Sequence, residues 1–344
     1  MPGRVSRPSR RSGAVADATL DEGDPGPYRA PAWLRGSHAQ TIWPALLARP
    51  AVRWRRETVA TPDGDDWSFD WVDAPAREGA PLVVLFHGLE GGSSSPYARA
   101  LMAAVARRGW RGVVPHFRGC AGEPNRLPRA YHSGDHEEIG AMLAAVRERA
   151  GAGATMHAVG VSLGGSALIN WLGRAGPGAS AMLARAAAVS APLDLMSAGR
   201  SIDRGANRVY AWTFLRTLNP KARAMAARFP SHLDASRLAR LTTMWAFDDA
   251  VTAPLHGFAG TADYWTRASS RPWLGRVGVP TLVLNARNDP FVPAASLPGP
   301  AEVSPRVVLE QPGMGGHAGF VSGPFPGRLD WLPRRLLAWF ARGE

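Results

Sequence analysis

From residue 82 onward, short apolar runs alternate with longer segments of helical character. Continuous apolar runs are typical of parallel strands buried on both faces of a sheet, so we predict strands over 82–86, 112–115, 155–161, 186–190, 281–285 and 306–310. The predicted helices span 97–108, 137–150, 166–174 and 329–341. Strands that alternate with helices in this way indicate an α/β protein, with a parallel sheet and helices on both faces.

A short helix and a hairpin are predicted before this alternation begins. Residues 31–50 hold Trp, Leu and Ile positions that favour a short helix packed on the body of the protein. Residues 53–60 and 66–73 alternate between apolar and polar positions around a Pro-Asp-Gly turn. This pattern predicts an antiparallel hairpin.

A helical insertion is predicted within the second half of the alternation. Residues 192–272 contain no clear strand and many Arg, Ala, Trp and Phe residues. They lie between two predicted strands, so we expect them to cover the carboxyl edge of the sheet as a cap. The aromatic residues expected to line an apolar pocket beneath this cap are Trp212, Phe214, Trp245 and Phe247.

The length and composition fit one large domain. The chain has 344 residues, 45% of them hydrophobic, and we assign residues 28–344 to a single domain. Residues 1–27 are rich in Arg, Gly, Pro, Asp and Ser and predict a disordered tail. No apolar run approaches the roughly 18 residues of a membrane span, and the N-terminus lacks the apolar stretch of a signal peptide. A cytoplasmic protein is therefore expected.

The charge and the cysteine content exclude some classes of function. The net charge is +12, yet Lys221 is the one lysine among forty basic residues, and the arginines are spread along the whole chain. No basic cluster with interleaved aromatics is evident, so no nucleic-acid partner is expected. Weak attraction to anionic membrane surfaces is compatible with the charge. Cys120 is the one cysteine, which excludes an intrachain disulfide and a cysteine-based zinc cluster.

Residues 160–164 read Gly-Val-Ser-Leu-Gly, a G-x-S-x-G pentapeptide between a predicted strand and a predicted helix. A nucleophile elbow requires this context, because its tight turn presents the serine at the tip of the sheet. Gly160 and Gly164 leave room where side chains would clash with neighbouring elements, and the following helix favours negative charge near Ser162. The alternative is a glycine-rich turn with an incidental serine.

A serine nucleophile needs a base that takes its proton, and a histidine is the usual base. In one known arrangement the acid and then the histidine follow the serine along the chain. Of the nine histidines, His317 follows the last predicted strand, in the glycine-rich loop 313–319. We expect the glycines to let its imidazole swing to Ser162.

Two aspartates could orient this histidine. Asp289 follows the predicted strand 281–285, and Asp194 follows the predicted strand 186–190. Both therefore lie at carboxyl ends of strands, where ligands bind in open α/β sheets. We favour Asp289 because it precedes a proline and lies one strand before the histidine.

Backbone amides are the expected donors to the oxyanion of a tetrahedral intermediate. One donor is the amide of Leu163, which follows the nucleophile, and the other is the amide of Leu89, in the loop after the strand 82–86. We interpret His87, in the same loop, as an internal support of that loop rather than as a base.

These motifs together match a known family. The matching segments are 87–91, 115–125, 131–134, 160–165, 257–258, 264–265, 268–269 and 316–317. With them the chain, from about residue 30 to the C-terminus, resembles the YheT-type, monoacylglycerol-lipase-like branch of the α/β-hydrolase superfamily.

The resemblance implies a mostly parallel eight-stranded sheet with a helical cap and a triad of Ser162, Asp289 and His317. It also implies hydrolysis of carboxylic esters, with short- to medium-chain acyl esters or monoacylglycerol-like lipids as substrates. The pair of acids usual before the proline is here Asn288-Asp289, which leaves Asp289 as the acid of that loop. No cofactor and no metal are expected.

Rival functions remain open at this point. The same triad could transfer an acyl group to an alcohol, or the chain could be a non-catalytic binding protein of the same fold. A basic protein of nucleic-acid or membrane surfaces is a third possibility. The segment 118–133 has no assigned chemistry: Arg118 either binds a carboxylate or phosphate group of a substrate or ties a neighbouring loop. The patterns do not indicate an oligomeric state.

Overall fold

The computed structural model describes residues 23–239 and 241–342. Its strands are β1 (Trp54–Ala60), β2 (Asp66–Val72), β3 (Leu82–Phe86), β4 (Arg111–His116), β5 (Met156–Val161), β6 (Arg185–Val189), β7 (Thr281–Leu284) and β8 (Val307–Glu310). They form one sheet in the order β1-β2-β4-β3-β5-β6-β7-β8. The strands from β4 to β8 pair in parallel, whereas β2 is antiparallel to β1 and β4.

The helices that accompany the sheet are α1 (Ser37–Ile42), α2 (Pro96–Arg107), α3 (His136–Ala150), α4 (Leu163–Ala175), α5 (Leu195–Ile202), α6 (Arg208–Arg228), α7 (Met244–Phe247), α8 (Ala253–Leu255), α9 (Thr261–Ala268) and α10 (Trp331–Phe340). A π-helical turn spans Asp248–Thr252. Together with the sheet, these helices confirm the predicted α/β-hydrolase fold class. The helix predicted over 31–50 is shorter than expected, since α1 covers six residues and continues into a 3-10 turn at Trp43–Ala45.

Separate apolar clusters cover the two faces of the sheet, because successive side chains of a strand point to opposite sides. On β3, Leu82, Val84 and Phe86 join the cluster that contains α3 and α4, whereas Val83 and Leu85 join the cluster that contains α2 and α10. All five are fully buried. Burial of each side chain contributes about 1.5–3 kcal/mol, so this strand is a rigid base for the loop that follows it.

The connection between β6 and β7 carries α5 to α9 and has an apolar cluster of its own. Leu215 and Leu218 of α6 pack there against Phe247 and Trp265. The connection leaves β6 at the carboxyl edge of the sheet, which is also the edge where Ser162 follows β5. The helical segment therefore starts beside the serine.

The chain before α1 is attached to the C-terminal part of the protein. The Tyr28 hydroxyl donates to the Val321 carbonyl at 2.7 Å, and the Asp24 carboxylate lies 3.2 Å from the Arg342 guanidinium. Residues 1–22 of the predicted tail lie outside the described residues. Within 23–239 and 241–342, no helix combines the length and the apolar character needed to cross a membrane.

Candidate active site

Ser162 occupies a sharp turn between β5 and α4. Its φ and ψ are 54° and −121°, a left-handed conformation that costs a non-glycine residue about 1–3 kcal/mol. Two glycines make the turn possible: a Cβ on Gly160 would lie 2.3 Å from the Gly164 carbonyl oxygen, and a Cβ on Gly164 would lie 2.5 Å from the His87 carbonyl oxygen. The turn is as tight as the pentapeptide predicts.

The three side chains expected to form a triad lie in hydrogen-bonding contact. His317 Nε2 is 2.9 Å from Ser162 Oγ, and His317 Nδ1 is 2.8 Å from Asp289 Oδ2. The carboxylate is fully buried, while the imidazole keeps a narrow exposed edge. A ring that bridges a hydroxyl and a buried carboxylate has the geometry that nucleophile activation requires.

Backbone amides hold the carboxylate of Asp289 in place. Its Oδ1 accepts from the amides of Phe291, at 2.8 Å, and Val292, at 3.2 Å, which leaves Oδ2 for His317. The other candidate acid has a different partner, since Asp194 caps α5 by accepting from the Ser197 amide at 3.0 Å. Of the two aspartates, the structure brings Asp289 to the histidine.

The loop that carries His317 is held by α1. The sequence did not predict this attachment. Thr41 Oγ1 accepts from the His317 amide at 3.0 Å, and the buried Gln40 Oε1 accepts from the Gly315 amide at 2.8 Å. Asn288, next to the triad acid, donates to the same Gln40 oxygen at 3.1 Å and accepts from the Gly316 amide at 3.0 Å. Four of the six residues of α1 are polar, so no local pattern singled out Gln40 and Thr41 for this role.

Gly316 and Gly319 of this loop serve close packing, in place of the swing of the imidazole that was expected from the glycines. A Cβ on Gly319 would lie 2.1 Å from the Gln40 carbonyl oxygen, and one on Gly316 would lie 2.8 Å from Gln40 Cβ. Gly316 also has a φ of 62°. The backbone of the loop is therefore pressed against α1, and His317 has a fixed position.

Leu163 directly follows the serine, and the loop that carries Leu89 passes close to it. Leu163 is the first residue of α4, and the loop with Leu89 approaches so closely that a Cβ on Gly88 would lie 3.1 Å from Ser162 Cβ. Among the described residues, neither the Leu163 amide nor the Leu89 amide has a protein acceptor. Both amides are therefore free to donate to an oxygen beside Ser162, which is the requirement for an oxyanion hole.

His87 supports the loop from within. Its Nδ1 donates to the Gly88 carbonyl at 2.8 Å, and its Nε2 accepts from the Phe117 amide at 3.1 Å. Complete burial, with the nearby His116 as a second cause, lowers the pKa of His87 to about 3. The ring is therefore neutral and has both nitrogens engaged, in agreement with its interpretation as a structural residue.

A cavity of about 500 Å³ extends from Ser162 between the sheet and the helical segment. Its wall includes Leu89, Phe214, Met225, Phe247 and Phe291. The expectation for the four cap aromatics is half right. Phe214 and Phe247 line the cavity, whereas Trp212 is 59% exposed to solvent and Trp245 packs edge-on against Trp265.

Asp248 is a carboxyl group within this apolar wall, and both of its oxygens accept hydrogen bonds from the protein. It accepts from Trp265 Nε1 at 2.7 Å and from Thr252 Oγ1 at 2.6 Å. Burial raises its pKa to about 6. Because these contacts occupy its oxygens, the wall around Asp248 presents mainly carbon atoms to a ligand.

Arg118 ties neighbouring segments, which decides between the two alternatives for this residue. Its guanidinium makes a two-pronged contact with the Glu138 carboxylate, at 2.8 and 2.9 Å, and a third contact with Asp63 at 3.0 Å. The side chain is 3% exposed. The structure supports the loop-tying alternative and not the binding of a charged group of a substrate, because the donors of Arg118 are committed to protein carboxylates.

An ion pair joins the loop after β3 to the helical segment. Lys221 Nζ of α6 lies 2.8 Å from both carboxylate oxygens of Glu90, the residue after Leu89. Tyr131 completes the contact, since its hydroxyl donates to Glu90 Oε1 at 3.0 Å and accepts from the Glu90 amide at 2.8 Å. The sequence did not predict this pair, because its members are 131 residues apart.

Comparison with known proteins identifies the family. A family model of the alpha/beta hydrolase fold matches residues 81–324. The chain belongs to the α/β-hydrolase family. Within it, this α/β-hydrolase falls in the YheT-type branch that the motifs indicated.

Two relatives and one solved structure illustrate the likeness. The α/β-hydrolase is 38% identical to "Putative esterase YheT" of Escherichia coli (strain K12) over 308 residues, 88% of this chain and 89% of that protein. It is 32% identical to "Phospholipase ABHD3" of Mus musculus over 322 residues, 89% of this chain and 76% of that protein. The Pyrococcus furiosus esterase Pf2001 shares the fold with a TM-score of 0.52 and 15% identity, over 84% of this chain and 92% of that chain.

Proposed function

We propose that this α/β-hydrolase is a serine carboxylic-ester hydrolase that works through an acyl-enzyme intermediate. The observation that carries the proposal is the chain of contacts from Ser162 Oγ through His317 to Asp289, at 2.9 and 2.8 Å. The names of its relatives, an esterase and a phospholipase, support an ester as the substrate.

The first half of the reaction forms the acyl-enzyme. Ser162 Oγ attacks the ester carbonyl carbon while its proton passes to His317 Nε2, and Asp289 stabilises the imidazolium through Nδ1. The carbonyl oxygen becomes an oxyanion that accepts from the amides of Leu163 and Leu89. The C–O bond to the alcohol then breaks, and the departing oxygen takes the proton from His317.

The second half releases the acid. A water molecule gives a proton to His317 and attacks the acyl carbon, which again places an oxyanion between the two amides. The bond to Ser162 Oγ breaks, and the serine recovers its proton from the imidazole. The cycle consumes one ester and one water and yields one alcohol and one carboxylic acid.

The cavity supports a proposal for the class of ester. At about 500 Å³, it lies within the ~300–1,000 Å³ range of small-molecule sites. Aliphatic and aromatic side chains dominate its wall, so it suits a hydrocarbon chain on the acyl or the alcohol side. We infer short- to medium-chain acyl esters or monoacylglycerol-like lipids as substrates.

Turnover of p-nitrophenyl esters of graded chain length tests this function. The proteins to compare are the wild type, Ser162→Ala, and Ser180→Ala as a control, whose hydroxyl is exposed and remote from the cavity. We expect Ser162→Ala to lower turnover by about 10⁴-fold or more, because the nucleophile is lost. Ser180→Ala should match the wild type, and the preferred chain length should reflect the size of the cavity.

The same assay separates the rival functions. Turnover that survives Ser162→Ala would overturn the proposed mechanism. Ester products formed with added glycerol or ethanol, in place of free acid, would assign acyl transfer. A folded wild type that neither hydrolyses esters nor forms a covalent adduct with a fluorophosphonate would favour the non-catalytic binding protein.

A further inference from the structure

The helix α6 carries positive charge without any negative charge. The sequence contains no Asp or Glu between Asp203 and Asp234. Within that interval, the basic residues of α6 are Arg208, Arg216, Lys221, Arg223 and Arg228. A net-positive helix on a protein surface is complementary to an anionic partner.

Two of these cations bind the body of the protein. Lys221 pairs with Glu90, and the Arg228 guanidinium donates to the Asn125 carbonyl at 2.8 Å. The other three have exposed side chains and no carboxylate partner within the described part of the chain. Arg216 lies over the ring of Trp212, 4.9 Å from its centroid.

The unpaired cations share one face of α6 with exposed apolar side chains. Arg208, Trp212, Arg216 and Arg223 are spaced by four, four and seven residues, which places them along a single stripe of the helix. Val209 lies beside the stripe and is 64% exposed, and Trp212 is 59% exposed. We give the name basic stripe to this set of five residues, with Val209 included: Arg208, Val209, Trp212, Arg216 and Arg223. The adjoining face of α6, about 100° around the helix axis, is buried in the apolar cluster of the helical segment.

A second group of exposed apolar side chains adjoins the start of α6. His38 of α1 stacks on Tyr210 of α6 and lies 3.0 Å from its hydroxyl, so the two helices touch. Ile42, one turn beyond His38 on the same face of α1, and Leu46 in the turn that follows are 49% and 70% exposed. These aliphatic groups expose further apolar surface on and just after α1, the helix that touches the first turn of α6.

The mouth of the cavity opens along the same helix. Residues that both line the cavity and are exposed to solvent mark its mouth, and they include Pro124, Lys221, Ala224 and Arg228. Three of them belong to the second half of α6, and Arg223 of the basic stripe lies among them in sequence. Lys221, Ala224 and Arg228 project from a different side of α6 than the basic stripe. Because a helix is only about 10–12 Å wide, a planar partner on the stripe lies roughly one helix diameter from the entrance to Ser162.

We propose that the basic stripe of α6 docks this α/β-hydrolase on an anionic lipid surface with the mouth of the cavity beside the headgroups. Arginines interact with the phosphates of anionic lipids, while tryptophan and aliphatic side chains enter the boundary of the acyl chains. The docking itself is inferred from the charged and apolar side chains on the surface of the protein alone. Only the benefit of docking, direct entry of a lipid ester into the cavity, rests on the proposed esterase function.

The aliphatic side chains favour a lipid over a nucleic acid as the anionic partner. Nucleic-acid surfaces combine cations with rings that stack on bases, and Val209, Ile42 and Leu46 have no such use. In a lipid surface each of them enters an apolar layer, and each arginine near an anionic bilayer raises the binding constant about fivefold.

Co-sedimentation of the full-length protein with lipid vesicles tests the docking without any substrate. The vesicles are phosphatidylcholine alone and phosphatidylcholine mixed with phosphatidylglycerol. The test variant is Arg208→Gln/Arg216→Gln/Arg223→Gln. The matched control is Arg107→Gln/Arg276→Gln/Arg306→Gln, which removes three exposed arginines near the amino ends of β4, β7 and β8, at the edge of the sheet opposite the cavity. Thermal melting confirms that each variant is folded.

We expect binding to the anionic vesicles that weakens with salt, and at least a tenfold loss for the α6 variant with little change for the control. Trp212→Ser should weaken binding as well, since it removes the apolar contact while keeping the charge. Three results would overturn the proposal: no binding of the folded wild type to anionic vesicles, an equal loss in both triple variants, or tighter binding to duplex DNA or RNA than to the vesicles at the same salt concentration.

Discussion

Two histidines lie near Ser162, the proposed nucleophile, and their surroundings differ in a way that suits them to opposite roles. His317 Nε2 points at Ser162 Oγ and its Nδ1 at the Asp289 carboxylate, so the ring can accept a proton and keep it stabilised. His87 is enclosed, and its two nitrogens are engaged by the Gly88 carbonyl and the Phe117 amide. A proton on its Nε2 would face an N–H group. The chain order of the residues and the position after the last strand were enough to favour His317, because in the α/β-hydrolase arrangement the histidine follows the acid.

The low pKa of His87 predicts a loss of stability in mild acid. The folded protein holds His87 neutral down to a pKa of about 3, whereas the unfolded chain protonates it near its ordinary pKa of about 6.5. The stability contribution is complete above that higher pH and is lost as the pH falls toward the lower one. At about pH 4.5 the loss is on the order of 3 kcal/mol.

Urea unfolding at neutral pH and at mildly acidic pH measures this loss. His87→Phe is less stable throughout, because the Phe117 amide loses its acceptor. Its drop in free energy of unfolding between the two pH values should nevertheless be smaller than that of the wild type by a few kcal/mol. Equal drops in the two proteins would show that His87 is not the neutral group described here.

At the scale of elements, the proposed active site depends on contacts between distant segments. The strands and the helices after them follow from local patterns, so the sequence predicts β3 to β8 to within a residue or two at their ends. The attachment of the His317 loop to α1 joins residues 275 and 276 positions apart. No local pattern encodes such a contact, which is why the loop was expected to be flexible.

Two glycines of that loop allow a matched test of the attachment. Gly319→Ala would place a Cβ 2.1 Å from the Gln40 carbonyl oxygen, whereas Gly313→Ala meets no atom within 4 Å. We expect Gly319→Ala to destabilise the protein by about 1–3 kcal/mol and to lower ester turnover, because His317 is displaced. Gly313→Ala should stay within about 0.5 kcal/mol of the wild type. Thermal unfolding and ester turnover measure both effects, and equal behaviour of the two variants would refute the fixed loop.

At the scale of the whole molecule, the helical segment and the sheet meet at the cavity. The absence of strands over 192–272 was enough to predict a helical segment, but not which aromatic side chains face the cavity. Trp212 and Phe214 are two residues apart on α6 and therefore point in different directions, one to solvent and one to the cavity. Only the packing of α6 against the rest of the protein decides between them.

The Lys221–Glu90 pair links that segment to the loop with the Leu89 amide. Lys221→Met removes the link, and we expect kcat for a soluble ester to fall about three- to tenfold, because the amide becomes less well placed. The lysine is about half exposed, so the free energy of unfolding should change by less than about 1 kcal/mol. Glu90→Gln/Lys221→Met should cost little more than Glu90→Gln alone, since both substitutions break one contact.

Arg204→Met is the control for this prediction, because it removes an exposed cation just before α6 that makes no ion pair among the described residues. It should leave kcat at the wild-type value. A change in KM without a change in kcat for Lys221→Met would mean that the pair shapes substrate binding and not the oxyanion site.

The central claim is that Ser162 is the nucleophile, and covalent labelling tests it most directly. The folded protein is treated with a fluorophosphonate, its intact mass is measured, and the modified residue is located by peptide mapping. The account predicts one adduct, on Ser162, with labelling lost in Ser162→Ala and strongly slowed in His317→Ala. An adduct on another residue, or ester turnover by a protein that forms no adduct, would contradict it.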